Sequence, residues 1–147
     1  MGALAAKIWE AIRDFDERLW VPGWLTRRID LIFRITLSLI FIVGGFGHFL
    51  GLDGMLERIK ESPWRDHVEL IGDPAILLWL SGAAFVVFGF LLMFGLLRRL
   101  SALVLFFTLV PVTLAIHIAP GHVGPLLKNV AILGALMLVY ARGTVVR

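Results

Sequence analysis

The chain is 147 residues long, 59% of these residues are hydrophobic, and the formal net charge is +3. A mean hydropathy of +0.91 lies above the range of soluble domains and excludes an ordinary water-soluble protein. The sequence has no cysteine, which excludes disulfide bonds, a thiol redox pair and an iron–sulfur cluster held by this chain.

The first predicted element is an amphipathic helix over residues 3–20. Its apolar face carries Ile8, Ile12, Phe15 and Leu19. Charged residues occupy the rest of the helix surface, so the helix can lie in the headgroup layer of a membrane or dock on a partner protein. Pro22 and Gly23 end it. We therefore interpret residues 1–28 as an interfacial segment and residues 29–147 as a separate membrane domain.

Four apolar stretches then follow, each about as long as a membrane-spanning helix. They are Leu31–Leu50, Ala75–Leu97, Leu100–Ala119 and Pro125–Ala141. About 20 residues of helix cross a hydrocarbon core about 30 Å thick. Lipid offers no hydrogen-bond partners to the backbone, so such stretches must be helical. The predicted fold class is all-α, a four-transmembrane-helix bundle preceded by the amphipathic helix. Gly47 and Gly51 form a small-xxx-small pair, which predicts close approach of a neighbouring helix.

Positive charge divides unequally between the two sides of this bundle. One side carries Lys7, Arg13, Arg18, Arg27, Arg28, Arg98, Arg99, Arg142 and Arg147, and the other carries Arg58, Lys60, Arg65 and Lys128. The positive-inside rule then places both termini and the amphipathic helix in the cytoplasm. In a membrane protein this basic charge does not indicate a nucleic-acid partner. Arg34, inside the first span, is interpreted as a structural anchor that snorkels to the interface, or that pairs with Asp30 or a lipid phosphate.

Polar residues at the ends of three spans fall on the outer side. His48 ends the first span, His117 ends the third, and Lys128 and Asn129 open the fourth. Ionisable groups in such places are the usual candidates for function in a membrane protein. Each of them can also be an ordinary interfacial residue in contact with water.

Three kinds of ligand fit these four residues. A quinone headgroup needs hydrogen-bond donors beside an apolar slot, for which the candidates are Phe46, Phe49 and Leu126. A haem b needs two facing axial ligands, for which the candidates are His48 and His117. A metal site would use both of these and His122 with an outer carboxylate. No spacing motif supports the haem or the metal, so no metal ligands are assigned.

Three segments of the sequence resemble the DoxX family of small four-helix membrane proteins. They are Arg34 with Leu39–His48, then Gly89–Arg98, and finally Leu127–Gly134, which is the most specific. The resemblance covers residues 29–141 and leaves out the amphipathic helix. It implies a fold similar to the membrane subunit of thiosulfate:quinone oxidoreductase and a respiratory or redox-stress role in a bacterial inner membrane. It does not assign a reaction.

The sequence departs from the pattern of that family at two positions. Many members carry an acidic residue where Phe85 stands and a lysine where His48 stands. The missing acid argues against proton handling at position 85.

The leading functional prediction is a DoxX-like subunit of a quinone-linked respiratory or redox system. His48, His117, Lys128 and Asn129 would bind the quinone near the outer leaflet. The alternative is a non-catalytic accessory subunit that stabilises a larger membrane complex by helix packing. The chain has no flavin or nucleotide motif, which favours a protein partner besides the lipid bilayer under both hypotheses. Neither hypothesis decides whether the chain is itself an enzyme.

Overall fold

A computed structural model of the protein describes residues 2–19, 22–117 and 123–143. These residues form α1 (Gly2–Glu17), α2 (Gly23–Leu50), α3 (Leu52–Glu61), α4 (Arg65–Ile71), α5 (Pro74–Met93), α6 (Arg98–His117) and α7 (Val123–Arg142). None of the described residues lies in a strand, so the all-α prediction is confirmed. The chain divides into two compact units, Met1–Ile32 and Phe33–Arg147.

Four of these helices are long and apolar enough to cross a membrane. The spans are Arg28–Leu50, Pro74–Met93, Arg98–Ile116 and Val123–Arg142. Only 22–44% of each span is buried within the protein, so most of its apolar surface faces outward, as in a helix that contacts lipid. The four-span prediction is confirmed.

The second span ends four residues earlier than the sequence predicts, at Met93 rather than Leu97. Gly95 adopts a left-handed backbone with φ of 75°. Its N–H donates to Leu92 O, and the N–H of Leu96 donates to Leu91 O. These two bonds form a Schellman motif, which terminates a helix at a glycine.

The first unit contains α1, whose described side chains are all exposed. The helix covers most of the stretch predicted to be amphipathic, and it ends at Glu17 rather than near residue 20. Contact of its apolar face with lipid, and its place in the cytoplasm, stay predictions.

The core of the second unit lies where the four spanning helices meet. Its buried residues are Leu37, Phe41, Phe85, Leu92, Ala102, Leu105, Leu109, Ile132, Leu136 and Val139. They come from α2, α5, α6 and α7, so all four spans contribute to one core.

Glycines bring α2 and α5 into backbone contact. A Cβ atom on Gly45 would lie 2.8 Å from Gly82 O, and one on Gly82 would lie 2.9 Å from the Cβ atom of His48. The prediction of close approach at Gly47 and Gly51 is wrong for the described residues. A Cβ on Gly47 would meet only a methionine side-chain tip at 3.9 Å, because α2 turns the Gly45 side towards α5.

The two short helices α3 and α4 cover the ends of α5 and α6. Ile59 of α3 is buried in a second apolar cluster with Leu78, Ala115 and Ile116. Val68 of α4 packs against the same cluster. The connection between the first two spans is therefore an ordered cap on the bundle.

Candidate functional site

His48 is buried near the end of α2 and directs its imidazole at α5. The ring nitrogen Nδ1 lies 2.8 Å from Ser81 Oγ and 3.2 Å from Leu78 O. The ring also meets the edge of Phe85, with 5.3 Å between centroids. This close packing is possible because α2 and α5 touch at Gly82, where no side chain separates the helices.

The tautomer of His48 sets the direction of its bond to Ser81. With the proton on Nδ1, His48 donates to Ser81 Oγ and to Leu78 O, while the Ser81 hydroxyl donates to Leu78 O over 2.8 Å. With the proton on Nε2, Nδ1 accepts from the Ser81 hydroxyl. In the first tautomer the hydroxyl proton of Ser81 can turn from Leu78 O to another acceptor.

Ser81 connects His48 to a cavity of about 390 Å³. The cavity lies between the cap helices α3 and α4 and the spans α5 and α6. Its lining comprises Ile59, Val68, Ile71, Pro74, Leu77, Leu78, Leu80, Ser81, Ala84, Phe107, Thr108, Pro111, Val112, Ala115 and Ile116. The described lining residues include two hydroxyls, Ser81 and Thr108, and no charged side chain. Such a cavity, mostly apolar with few polar groups, is typical of small-molecule sites.

Asn129 is buried at a different contact, between α7 and α6. Its Nδ2 donates to Thr113 Oγ1 over 3.0 Å, and Thr113 Oγ1 donates to Leu109 O over 2.7 Å. A hydrogen bond of this kind holds two membrane helices together. Thr113 does not line the cavity, although the neighbouring Val112 does.

The four site residues predicted from the sequence have different surroundings. His48 bonds to α5, Asn129 bonds to α6, and Lys128 is exposed. The side chain of His117 lies outside the described residues. Convergence of the four around one ligand therefore stays a prediction.

The predicted slot residues are not part of the cavity wall. Phe46 and Phe49 are exposed, Leu126 is half-buried, and none of them lines the cavity. Sequence reasoning missed Ser81, although one signal was available, since this serine is the lone hydroxyl residue in α5.

Arg34 is buried and bonds within the protein. Its Nη1 donates to Met93 O over 3.1 Å and to Leu92 O over 3.4 Å. A Cβ atom on Gly95 would lie 2.6 Å from the same nitrogen. The guanidinium thus covers the end of α5, where unpaired carbonyls and the helix dipole favour a positive charge.

The haem and metal hypotheses depend on His117 and His122. His117 is described only in its backbone, and His122 lies outside the described residues. Among the side chains that are described, no group of three His, Asp or Glu residues is placed to hold a metal ion. Both hypotheses stay predictions.

Comparison with known proteins identifies a family. A family model described as DoxX matches residues 29–118, which is more than half of the chain. None of the curated proteins matches, and none of the solved structures matches. The matched stretch ends before Leu127–Gly134, so that part of the sequence resemblance stays a prediction.

Proposed function

Because the chain belongs to the DoxX family, we propose that it is an integral membrane component of a quinone-linked redox system. The observation that carries this proposal is the cavity of about 390 Å³ with Ser81 in its wall and His48 bonded to Ser81. An apolar slot with a hydrogen-bond donor at its side is what a quinone ring and its carbonyl oxygen require.

In this proposal Ser81 is the group that contacts the ligand. Its hydroxyl turns from Leu78 O to a quinone carbonyl oxygen, while Nδ1 of His48 keeps Leu78 O paired and donates to Ser81 Oγ. A bound quinone accepts or gives electrons together with protons. His48 orients the hydroxyl and holds a proton two hydrogen bonds away from the ligand, with Ser81 between them.

In the same proposal, the other residues predicted from the sequence have supporting roles. Lys128 and Asn129 do not line the cavity; with His117 they would supply further polar groups near the outer leaflet, with both termini in the cytoplasm of a bacterium. The chain has no cysteine and no flavin motif, so the electrons would come from a redox protein bound to it. That partner is part of the proposal.

The test is quinone binding by the purified protein in lipid nanodiscs. Short-chain ubiquinone and menaquinone serve as probes, and calorimetry gives the Kd. We expect Ser81→Ala and His48→Leu each to weaken binding about tenfold, the effect of losing one hydrogen bond. His48→Asn, which keeps a donor near the position of Nδ1, should restore part of the affinity.

Ser101→Ala is the matched control, because Ser101 is a fully buried serine that does not line the cavity. Saturable binding that is equal in the wild type and in all of the site variants would refute the site. No saturable binding of either quinone would leave the accessory-subunit hypothesis as the better account.

A further inference from the structure

We propose that the ligand of this cavity is a neutral amphiphile with an aliphatic tail, and that it enters sideways from the lipid. This inference rests on the proposed function and adds the chemical class of the ligand. It follows from the length of the cavity, the chemistry of its lining and the side on which it is open.

The cavity is long in the direction of the spans. Its lining runs along α5 from Pro74 to Ala84 and along α6 from Phe107 to Ile116. At about 1.5 Å of rise per residue, these stretches are about 15 Å long, which is half of a hydrocarbon core about 30 Å thick. Ser81 lies between the capped end and the deep end. A quinone ring beside Ser81 therefore leaves room below it, between Ala84 and Phe107, for part of a tail.

The lining selects for an uncharged headgroup. None of the described lining residues is charged, and the two hydroxyls belong to Ser81 and Thr108. A phosphate or a carboxylate placed here would lose its water without gaining a counter-charge, which is strongly unfavourable. A quinone ring loses little, because its carbonyl oxygens need only neutral donors. The lining thus disfavours phospholipids and fatty acids as the ligand.

The open side of the cavity faces lipid. Towards the end of the bundle, α3 and α4 cover it with Ile59, which is 4% exposed, and with the half-buried Val68, while Ile71 at the end of α4 is 74% exposed. Along the spans, its rim residues Leu80 and Phe107 are 62% and 69% exposed. Both lie in helices that cross the membrane, so the rim contacts hydrocarbon. A ligand dissolved in the bilayer reaches Ser81 through this rim without passing through water.

The experiment compares a tail-less quinone with the same quinone carrying one to four isoprene units. Ala84→Phe and Thr108→Phe fill the deep end of the cavity. The readout for each ligand is the ratio of the variant Kd to the wild-type Kd. Because a given ligand partitions into lipid equally in both measurements, the ratio does not depend on this partitioning. We expect a ratio of about 10 for the tailed quinones, because the tail and the introduced phenyl ring cannot both occupy the deep end of the cavity without overpacking it. For the tail-less quinone we expect a ratio near 1.

Val87→Phe is the matched control, because Val87 is on the same helix, is 53% exposed and does not line the cavity. Its ratio should be near 1 for every ligand. A second measurement does not depend on variants. A quinone with a photoreactive diazirine at the tail end should label wild-type peptides that contain Phe107 or Thr108.

The outcomes separate this inference from the proposed function. If no quinone binds the wild type, both fail. If the tail-less quinone binds and the two filling variants change all ligands equally, the ligand class is overturned while quinone binding stands. Two other results also overturn the inference about the ligand class. One is diazirine labelling that is confined to other helices, and the other is a copurifying phospholipid that quinone does not displace.

Discussion

Single residues show how this bundle accommodates polar groups. His48 on α2 and Phe85 on α5 are both buried, and their rings touch. The imidazole finds its hydrogen-bond partners on α5, at Ser81 and Leu78.

Arg34 allows a test at the same scale. Arg34→Met keeps the length of the side chain but removes the donors to Leu92 O and Met93 O. Hydrogen bonds from charged groups are worth about 1.5–3 kcal/mol, so we expect a loss of stability of that size. The measurement is reversible unfolding in mixed micelles. Arg28→Met, at an exposed position of the same helix, is the control, and an equal loss there would contradict the capping role.

The sequence identified the polar residues of the spans, but not the groups to which they form hydrogen bonds. His48, Asn129 and Arg34 could be selected because polar residues are rare in such helices. Ser81 and Thr113 could not be assigned to them, because hydropathy does not reveal how a helix is rotated about its axis. For the same reason the bond of Arg34 to the end of α5 was not predicted.

Between elements, the contact of α2 with α5 positions the site. Gly45 and Gly82 bring the two backbones together, and this approach lets the short reach of His48 span the gap to Leu78 O. The sequence contains several glycines in α2, and the helix rotation decides which of them face a neighbour. The sequence pattern therefore selected Gly47 and Gly51 in place of Gly45.

Two adjacent glycines of α2 give a matched pair of variants. A Cβ atom on Gly45 would lie 2.8 Å from Gly82 O, whereas one on Gly44 would meet nothing within 4 Å. Gly45→Ala must push the helices apart, and overpacking of this kind costs about 1–3 kcal/mol. Gly44→Ala should leave the protein as stable as before or more stable by up to about 1 kcal/mol, because alanine favours helix. Thermal unfolding in detergent compares the two. Equal melting temperatures would show that α2 and α5 do not touch at Gly45.

At the scale of the whole molecule, the number of spans was the most predictable property. Length and hydropathy alone determine it, since a helix needs about 20 predominantly apolar residues to cross lipid. The helix ends were less predictable, because the Schellman turn at Gly95 depends on backbone geometry. The cavity was not predictable, since it arises where α3 and α4 cover the gap between two spans.

The orientation predicted from the charge distribution has its own test. The sequence has no cysteine, so a single introduced thiol is the only site for a maleimide reagent. We expect Glu57→Cys, exposed on α3, to react with a membrane-impermeant maleimide on intact cells. Leu96→Cys, in the turn between α5 and α6, should react only after the cells are permeabilised. The reverse result would place α3 in the cytoplasm and invert the assignment of both termini.

The capping of α5 by Arg34 also constrains how the protein is made. Spans enter the membrane in the order of synthesis, and the arginine belongs to the first span, whereas its carbonyl acceptors at Leu92 and Met93 belong to the second. Until α5 has been inserted, the first span lacks these two acceptors for its guanidinium, so the cap on α5 can form only after the second span has entered the membrane. Formation of the Arg34 contact therefore coincides with the docking of the second span against the first.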